Sequence, residues 1–365
     1  MELYLDNIVF TIQQVGGVSV YWYELLKGIC NSGLRLHFLN ANHNGGNLLE
    51  QQLDYRAADC IRESRVHPAL LRYLPLRYKL PPGAVFHSGY LRVSPQKDIL
   101  NILTIHDFAH ERRLVTRFPR GLVNTTQKAY GIRHADGIIC ISEHTRSDLF
   151  HFYPDTDPNR VCVIHHGLAH DFFPVSKQPK CPLPLDLWSR YVLYVGARRR
   201  YKNFNTALRT MELLPACYQL VVVGGEPWTE EEITQLEKHI PGRYLLLPAV
   251  ATATLNILYN YAFCFFYPSL YEGFGFPPGE AMKAGCAVVC TRAAAIPEVV
   301  GDAALMPLAP TPAAFARKIM ELEHPERRHM LRQRGLEQAA RFSWDKTVQE
   351  TIAFYHHCWE HKFQR

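Results

Sequence analysis

Glu272 and Glu280 stand on either side of a loop that carries Gly273, Gly275 and Gly279 and the pair Pro277-Pro278. Ahead of the loop, Ala262–Pro268 is apolar enough for a buried strand. Behind it, Glu280–Ala284 opens a short helix, with the prolines suited to its first turn. Glycine lets a backbone come close to a ligand, and a helix N-terminus turns free N–H groups towards an anion. Carboxylates cannot hold phosphate themselves, but they accept hydrogen bonds from sugar or ribose hydroxyls. These residue types at this spacing describe a site for a phosphorylated sugar. A lone pair of glutamates would equally fit a tight turn with Glu280 capping a helix.

A basic cluster supplies the complementary chemistry. Arg198, Arg199, Arg200 and Lys202 follow directly on the apolar run Tyr191–Val195, which reads as a strand. Guanidinium forks and an ammonium at a strand's C-terminal end suit a diphosphate, because they neutralise charge growing on a leaving phosphate. Without the strand in front, a solvated basic turn would be the simpler reading. His106-Asp107 ends another apolar run, Ile99–Ile105, as a central parallel strand should read. Ligands of open α/β sheets collect just past such ends, although a lone histidine there is more often structural. Gly16-Gly17 follow an opening strand read over Glu2–Phe10 and precede a helix to about Asn31, in which Tyr21, Leu25, Leu26 and Ile29 keep helical spacing. A Gly-x-Gly-x-x-Gly fingerprint is missing, which disfavours a nicotinamide oxidoreductase.

Two βα series position these residues. The first continues through Leu34–Leu39, Ala84–Ser88, Ala135–Ile141 (with Ser142 as a helix N-cap) and Val161–Ile164. The second runs through Tyr191–Val195, Gln219–Val223, Tyr244–Leu247 and Ala287–Cys290, then two later helices, the last starting near Ser343. A chain of 365 residues is long for one domain. The expected division is residues 1–173, a proline-rich linker over 174–188, a second domain over 189–343 and a final helix over 344–365. The fold class is α/β, with two Rossmann-like domains facing a central cleft.

Composition bounds the partners. At 47% hydrophobic and 20% charged, the chain reads as an ordinary globular protein. No apolar run reaches about 18 residues, and the N-terminus lacks a basic signal region, so a cytoplasmic protein is expected. The 10 cysteines are scattered and read as reduced thiols. His165, His166 and His170, and later His356, His357 and His361, read as loop and helix-end residues, so no metal is assigned. The net charge of +6 suits acidic partners. With no nucleic-acid motif present, a diphosphate substrate and an anionic membrane surface remain. Between Tyr55 and Pro82, Arg56, Arg62, Arg65, Arg72, Arg77 and Lys79 alternate with large apolar residues. That pattern fits a peripheral membrane patch and a solvated helix with snorkelling arginines about equally.

Tyr271–Pro277, Glu280-Ala-Met282, Gly285 and Ile296–Val299 together strongly resemble the signature of family 4 glycosyltransferases. Thr104–Asp107, Ser142–Leu149, the Gly196-x-Arg198…Lys202-Asn203 segment and Phe342–Trp344 extend the resemblance over almost the whole chain. It implies the GT-B fold and a retaining transferase that takes a GDP- or UDP-type nucleotide-diphosphate sugar, with no metal, cofactor or protein general base. By resemblance, Arg198 and Lys202 stabilise the leaving diphosphate, with the choice among Arg198, Arg199 and Arg200 open. Glu272 holds the donor sugar, Phe274 and Gly275 offer backbone amides beside Phe276, and Glu280 takes the ribose hydroxyls. His106 contacts the transferred sugar with Asp107 orienting it, Gly16 and Gly17 lie over the diphosphate, and Ala249 and Val250 line the base pocket. The terminal helix crosses back to the first domain. The wording of Phe86–Ser88, Thr104–Asp107 and Tyr201–Phe204 is closest to bacterial O-antigen mannosyltransferases. That implies mannose moved from GDP-mannose to a glycan or lipid-linked oligosaccharide, at the cytoplasmic face of the inner membrane. The alternatives are a UDP-sugar-dependent transferase of the same fold and a non-catalytic sugar-nucleotide-binding subunit. The intact Arg, Lys, Glu, Glu and His set speaks against the second.

Overall fold

A computed structural model describes residues 1–14, 16–40, 46–53, 59–63, 66–115, 118, 120–175, 190–198 and 200–364. The chain divides into two compact units, Met1–Gly167 with Ser343–Arg365, and Leu168–Phe342. The first unit runs β1 (Glu2–Asp6), α1 (Ile8–Ile12), α2 (Gly17–Ile29), β2 (Arg35–Asn40), β3 (Cys60–Arg62), α3 (Pro68–Leu71), β4 (Val85–Ser88), β5 (Leu100–Ile105), α4 (Arg120–His134), β6 (Gly137–Cys140), α5 (Glu143–Phe152) and β7 (Val161–Val163). Its strands form one parallel sheet in the order β3-β2-β1-β4-β5-β6-β7. β5 is buried at every residue, as its unbroken apolar run requires of a central parallel strand.

The second unit runs β8 (Tyr191–Val195), α6 (Phe204–Leu213), β9 (Gln219–Val223), α7 (Glu230–His239), β10 (Tyr244–Leu247), α8 (Thr252–Tyr261), β11 (Cys264–Tyr267), α9 (Phe276–Lys283), β12 (Val288–Cys290), α10 (Ile296–Val300), β13 (Ala304–Leu305), α11 (Pro312–Glu321) and α12 (Pro325–Ala339). Its parallel sheet has the order β10-β9-β8-β11-β12-β13. Each sheet reverses its order beside its first strand, β1 or β8, so both units are Rossmann-like. The last helix, α13 (Trp344–Phe363), belongs to the first unit, and Ser343 caps it by accepting the Lys346 N–H at 3.2 Å.

Several elements differ from the sequence expectation. The opening strand stops at Asp6, whose Oδ1 accepts the Ile8 N–H at 3.1 Å and turns the chain into α1. Gly16 and Gly17 therefore follow a short helix rather than a strand. After β12 four helices, α10, α11, α12 and α13, stand where two are expected. Among its described residues the basic stretch after Tyr55 holds β3 and, as its one helix, the four-residue α3, with Leu70, Arg77, Tyr78 and Lys79 exposed. Arg56, Arg65 and nearly all of the expected linker lie outside the described residues. Among the described residues no helix is long and apolar enough to cross a membrane.

α13 is held to its own unit by polar contacts as well as apolar ones. Lys362 Nζ donates to Ile99 O at 2.6 Å and to Asp136 at 2.8 Å, and Trp359 Nε1 donates to Gly83 O at 2.8 Å. Gly28 of α2 faces Val348 of α13, where an added Cβ would stand 2.4 Å from Val348 Cγ2. Helix propensity alone would make Gly28→Ala stabilising by about 0.5–1 kcal/mol. The overlap is far inside contact distance, and overpacking costs about 1–3 kcal/mol, so the steric effect dominates. Gly28→Ala should lower the urea midpoint at unchanged slope, and Val348→Ala in the same chain should recover part of the loss.

Candidate functional site

In the second unit the expected residues gather at the C-terminal strand ends. A 3-10 turn over Arg200–Lys202 follows β8 and is stitched to the end of β11: the Leu270 N–H donates to Tyr201 O at 2.8 Å and Asn203 Nδ2 to Pro268 O at 3.2 Å. Asn203 adopts a left-handed φ of 57°, a conformation that asparagine tolerates better than most residues. This stitching brings Lys202 Nζ to Glu272 Oε1 at 2.7 Å. The same oxygen accepts Tyr267 OH at 2.7 Å and Ser269 Oγ at 2.6 Å, and Lys202 also donates to Tyr267 OH at 3.0 Å. Lys202 and Glu272 keep 16% and 14% of their side-chain surface open to solvent, so the pair can be reached by a ligand.

Arg198 has other partners. Its Nε donates to Glu232 at 2.8 Å and its Nη2 to Glu226 O at 2.5 Å, and its guanidinium lies 3.7 Å from the Trp228 ring. It pins the turn after β9 to α7 and makes no contact with the Lys202–Glu272 pair. Arg200 is exposed, and its side chain makes no hydrogen bond or ion pair with a described residue, although its carbonyl accepts the Asn203 N–H at 3.2 Å; Arg199 lies outside the described residues.

The glycine loop also differs from expectation. α9 begins at Phe276, with Pro277 and Pro278 inside its first turn, and Gly275 precedes it at a φ of 127° that favours glycine. The two prolines carry no N–H, and the Gly279 N–H bonds Gly275 O at 3.3 Å. The first helical turn is therefore poor in backbone donors, so an anion here would depend on loop amides. Glu280 thus sits past the first turn. Burial pushes its carboxyl up to about 7, the Tyr259 hydroxyl opposing. Ala249 and Val250 follow the end of β10, exposed and half-buried respectively.

In the first unit His106 follows β5, with its ring edge-on to Tyr21 at 5.1 Å and tilted against His166 at 5.7 Å. Burial pulls its imidazole down to about 4, with the Asp107 carboxylate opposing and the Lys128 ammonium reinforcing the shift. The Asp107 side chain does not orient the ring: its Oδ1 takes the Ala109 N–H at 2.9 Å. Lys128 instead fixes this loop, donating to Asp107 O at 2.7 Å and pairing with buried Glu111 at 2.8 Å. Gly16 is extended and exchanges hydrogen bonds with Ser19, and Gly17 opens α2.

Sequence reasoning missed Tyr267 and Ser269 as partners of Glu272, although both lie inside the stretch it singled out. It also missed Arg92, which is fully buried between Asp6 at 2.9 Å and Glu63. A single arginine in a loop carries no pattern that would reveal this.

Two doubly wound parallel sheets, the second with a lysine–carboxylate pair at its strand ends, define the fold class as GT-B, and the family models name the glycosyltransferases. One family model, described as Glycosyltransferase Family 4, matches residues 15–172, and another, described as Glycosyl transferases group 1, matches residues 182–338. The chain belongs to this family. The O-antigen chain mannosyltransferase B of Escherichia coli is 32% identical over 228 residues, which are 60% of this chain and 60% of that relative. The structure of sucrose-phosphate synthase from Thermosynechococcus elongatus matches with a TM-score of 0.76 at 19% identity, covering 98% of both chains. That of Anabaena HepE with UDP and glucose matches at 0.74 and 15%, covering 96% of this chain and 98% of that one.

Arg198→Ala should cost about 1.5–3 kcal/mol, the range for hydrogen bonds to charged groups, whereas Arg200→Ala should stay within about 0.5 kcal/mol; urea melts of both variants check this. Glu280 adds a pH signature. Its folded pKa stands above the unfolded one, so the folded state binds more protons between pH 4.5 and about 7. That contribution to stability is complete at low pH and lost as pH rises through about 7. Glu280→Gln should therefore raise Tm at pH 8 and change it little at pH 4, which thermal melts at the two pH values check.

Proposed function

We propose that this chain is a retaining, metal-independent glycosyltransferase that moves mannose from GDP-mannose to a glycan or lipid-linked acceptor in the assembly of a bacterial surface polysaccharide, working in the cytoplasm. The observation that carries this reading is the Lys202–Glu272 pair, held by Tyr267 and Ser269 at the ends of β8 and β11. The name of the Escherichia coli relative supports mannose.

Each residue then has a task. Lys202 and exposed Arg200 neutralise the charge that grows on the diphosphate as the bond to the anomeric carbon breaks. Glu272 spends Oε1 on the protein and has Oε2 for a sugar hydroxyl. The amides of Phe274, Gly275 and Phe276 line the same loop. Ionised Glu280 accepts the ribose hydroxyls, and Ala249 and Val250 border the base. His106, neutral at ordinary pH, faces the positive sugar without adding charge, with Gly16 and Gly17 on the same unit. The acceptor oxygen bonds the anomeric carbon on the face the leaving group departs, and a phosphate oxygen takes its proton.

Thermal melts with GDP-, UDP- and ADP-sugars in EDTA should show stabilisation by GDP-mannose, about 2.7 kcal/mol at a hundredfold excess over Kd. A response confined to UDP-sugars would replace the donor, and silence towards every nucleotide sugar would sink the transferase reading. Lys202→Ala and Glu272→Ala should each lose on the order of a hundredfold or more in turnover while melting cooperatively. NMR of the product should show the donor's anomeric configuration, and an inverted linkage would overturn the retaining assignment.

A further inference from the structure

Arg198 directs all three nitrogens of its guanidinium at the second unit itself. Nε and Nη2 fork onto the Glu232 carboxylate at 2.8 and 3.3 Å. Nη2 also reaches Glu226 O at 2.5 Å and Pro227 O at 3.3 Å, and Nη1 donates to Gly224 O at 3.4 Å. The plane of the group lies 3.7 Å from the centre of the Trp228 ring, and only 4% of the side chain is open to solvent. A diphosphate could take this arginine only by breaking an ion pair that is half of a buried arrangement, and such breaks are strongly unfavourable.

The partners belong to one short stretch. Gly224-Gly225-Glu226-Pro227-Trp228 is the turn after β9, and Glu232 stands in the first turn of α7. Glu232 also completes that helix's capping box, accepting the Thr229 N–H at 3.0 Å while its own N–H donates to Thr229 Oγ1 at 3.2 Å. Gly225 lies flush against the loop after β8, where an added Cβ would stand 2.7 Å from Arg198 Nη1 and 3.1 Å from Gly196 O. Backbone bonds join the end of β9 to both neighbours. The Gly196 N–H donates to Val223 O at 2.9 Å, and the Gly224 N–H to Leu247 O at 3.0 Å. Leu247 is the last residue of β10, and Pro248-Ala249-Val250 follow directly. Arg198 thus fixes the turn through which the β8 and β10 ends are connected.

Strand order gives that turn its place beside the donor. In the order β10-β9-β8-β11, the Lys202–Glu272 pair lies at β8 and β11, and Ala249 and Val250 lie past β10. A nucleotide with its diphosphate at Lys202 and its base at Ala249 and Val250 must pass the β9 turn, since β8 and β10 stand two strand spacings, about 10 Å, apart. Bases are told apart by hydrogen bonds to their edges, and an edge left unpaired in a closed site is unfavourable. Discrimination therefore depends on how firmly the reading groups are held. Gly225, Glu226 and Pro227 are exposed, and exposed turns with few apolar contacts open readily. Here the guanidinium holds them.

Resting on the nucleotide-sugar reading above, we infer that Arg198 is a positioning residue for base selection. It keeps the β9 turn, and through it the β10 end, in the form that tells guanine from uracil, and it leaves the diphosphate to Lys202 and Arg200. That is a different task from the one its place in the Gly196-x-Arg198 segment implies. Its loss changes which nucleotide binds, not how the phosphates are held.

Calorimetric titration of the full chain in EDTA with GDP, UDP and inorganic pyrophosphate tests this, pyrophosphate having the charge without a base. The unaltered chain should prefer GDP to UDP at least tenfold. Arg198→Met keeps the bulk of the stem and removes the fork and its charge. It should bring GDP and UDP within about threefold of each other and change pyrophosphate affinity by less than about threefold. Glu232→Gln loosens the same tie from the α7 side, should shrink the GDP preference in the same direction, and serves if the methionine variant misfolds. Lys202→Ala should show the opposite pattern, with pyrophosphate weakened at least tenfold and the base preference kept. A preference unchanged in both Arg198→Met and Glu232→Gln overturns the inference, as does an unaltered chain that binds GDP and UDP equally. So does a pyrophosphate loss in Arg198→Met as large as its GDP loss, since that makes Arg198 a ligand of the diphosphate. In each of these cases nucleotide still binds and the transferase reading stands. Silence of the unaltered chain towards both nucleotides sinks the donor reading and this inference with it.

Discussion

The Glu272 carboxylate is the constraint on which the second unit's chemistry depends. One oxygen takes hydrogen bonds from an ammonium, a phenol and a serine hydroxyl, supplied by the turn after β8, by β11 and by the loop itself. Charge-assisted bonds of this kind are short and directional, so they locate all three donors together. The price is that Lys202 arrives already neutralised. A diphosphate must share the ammonium with Glu272, which makes the lysine a fixed point of moderate charge rather than a free cation. Preorganisation of that sort favours a transition state whose charge grows where the donor already points.

Around this pair the unit removes other sources of positive field. Pro277 and Pro278 delete backbone donors from the first turn of α9, and Arg198 is taken up by Glu232, a carbonyl and the Trp228 face. Selectivity at the strand ends therefore lies in few groups. In the first unit the same economy appears as a neutral histidine. His106 is held in a ring cluster with Tyr21, His166 and Trp344, whose burial disfavours the imidazolium.

Most of the architecture could be read in the sequence because parallel strands buried on both faces leave unbroken apolar runs, and Ile99–Ile105 or Tyr191–Val195 cannot be mistaken for surface. Local signals also carried through: Ser142 caps α5 by accepting the Thr145 N–H, as its hydroxyl suggests. Failures came where a side chain's partner is distant in sequence. Nothing near Arg198 announces Glu232 or Trp228, nothing near Arg92 announces Asp6 and Glu63, and Asp107 beside His106 invites a contact that the Ala109 N–H pre-empts. The strand over Glu2–Phe10 failed for a different reason: Val9 and Phe10 are as apolar as a strand needs, but a single Asp6 turn overrides them.

The division of the chain also orders events in time. The second unit is one continuous segment, whereas the first is completed only by α13, which is synthesised after the whole of the second unit. Until then His87 lacks the Tyr355 hydroxyl, bonded at 2.5 Å in the finished protein, and Gly28 and Gly137 face no helix. Domains tend to fold in the order in which they leave the ribosome. Here that order is inverted: the unit begun first is finished last. A nascent chain would carry a completed second unit while the apolar flank of β5 and β6 still waits, a natural point of engagement for a chaperone.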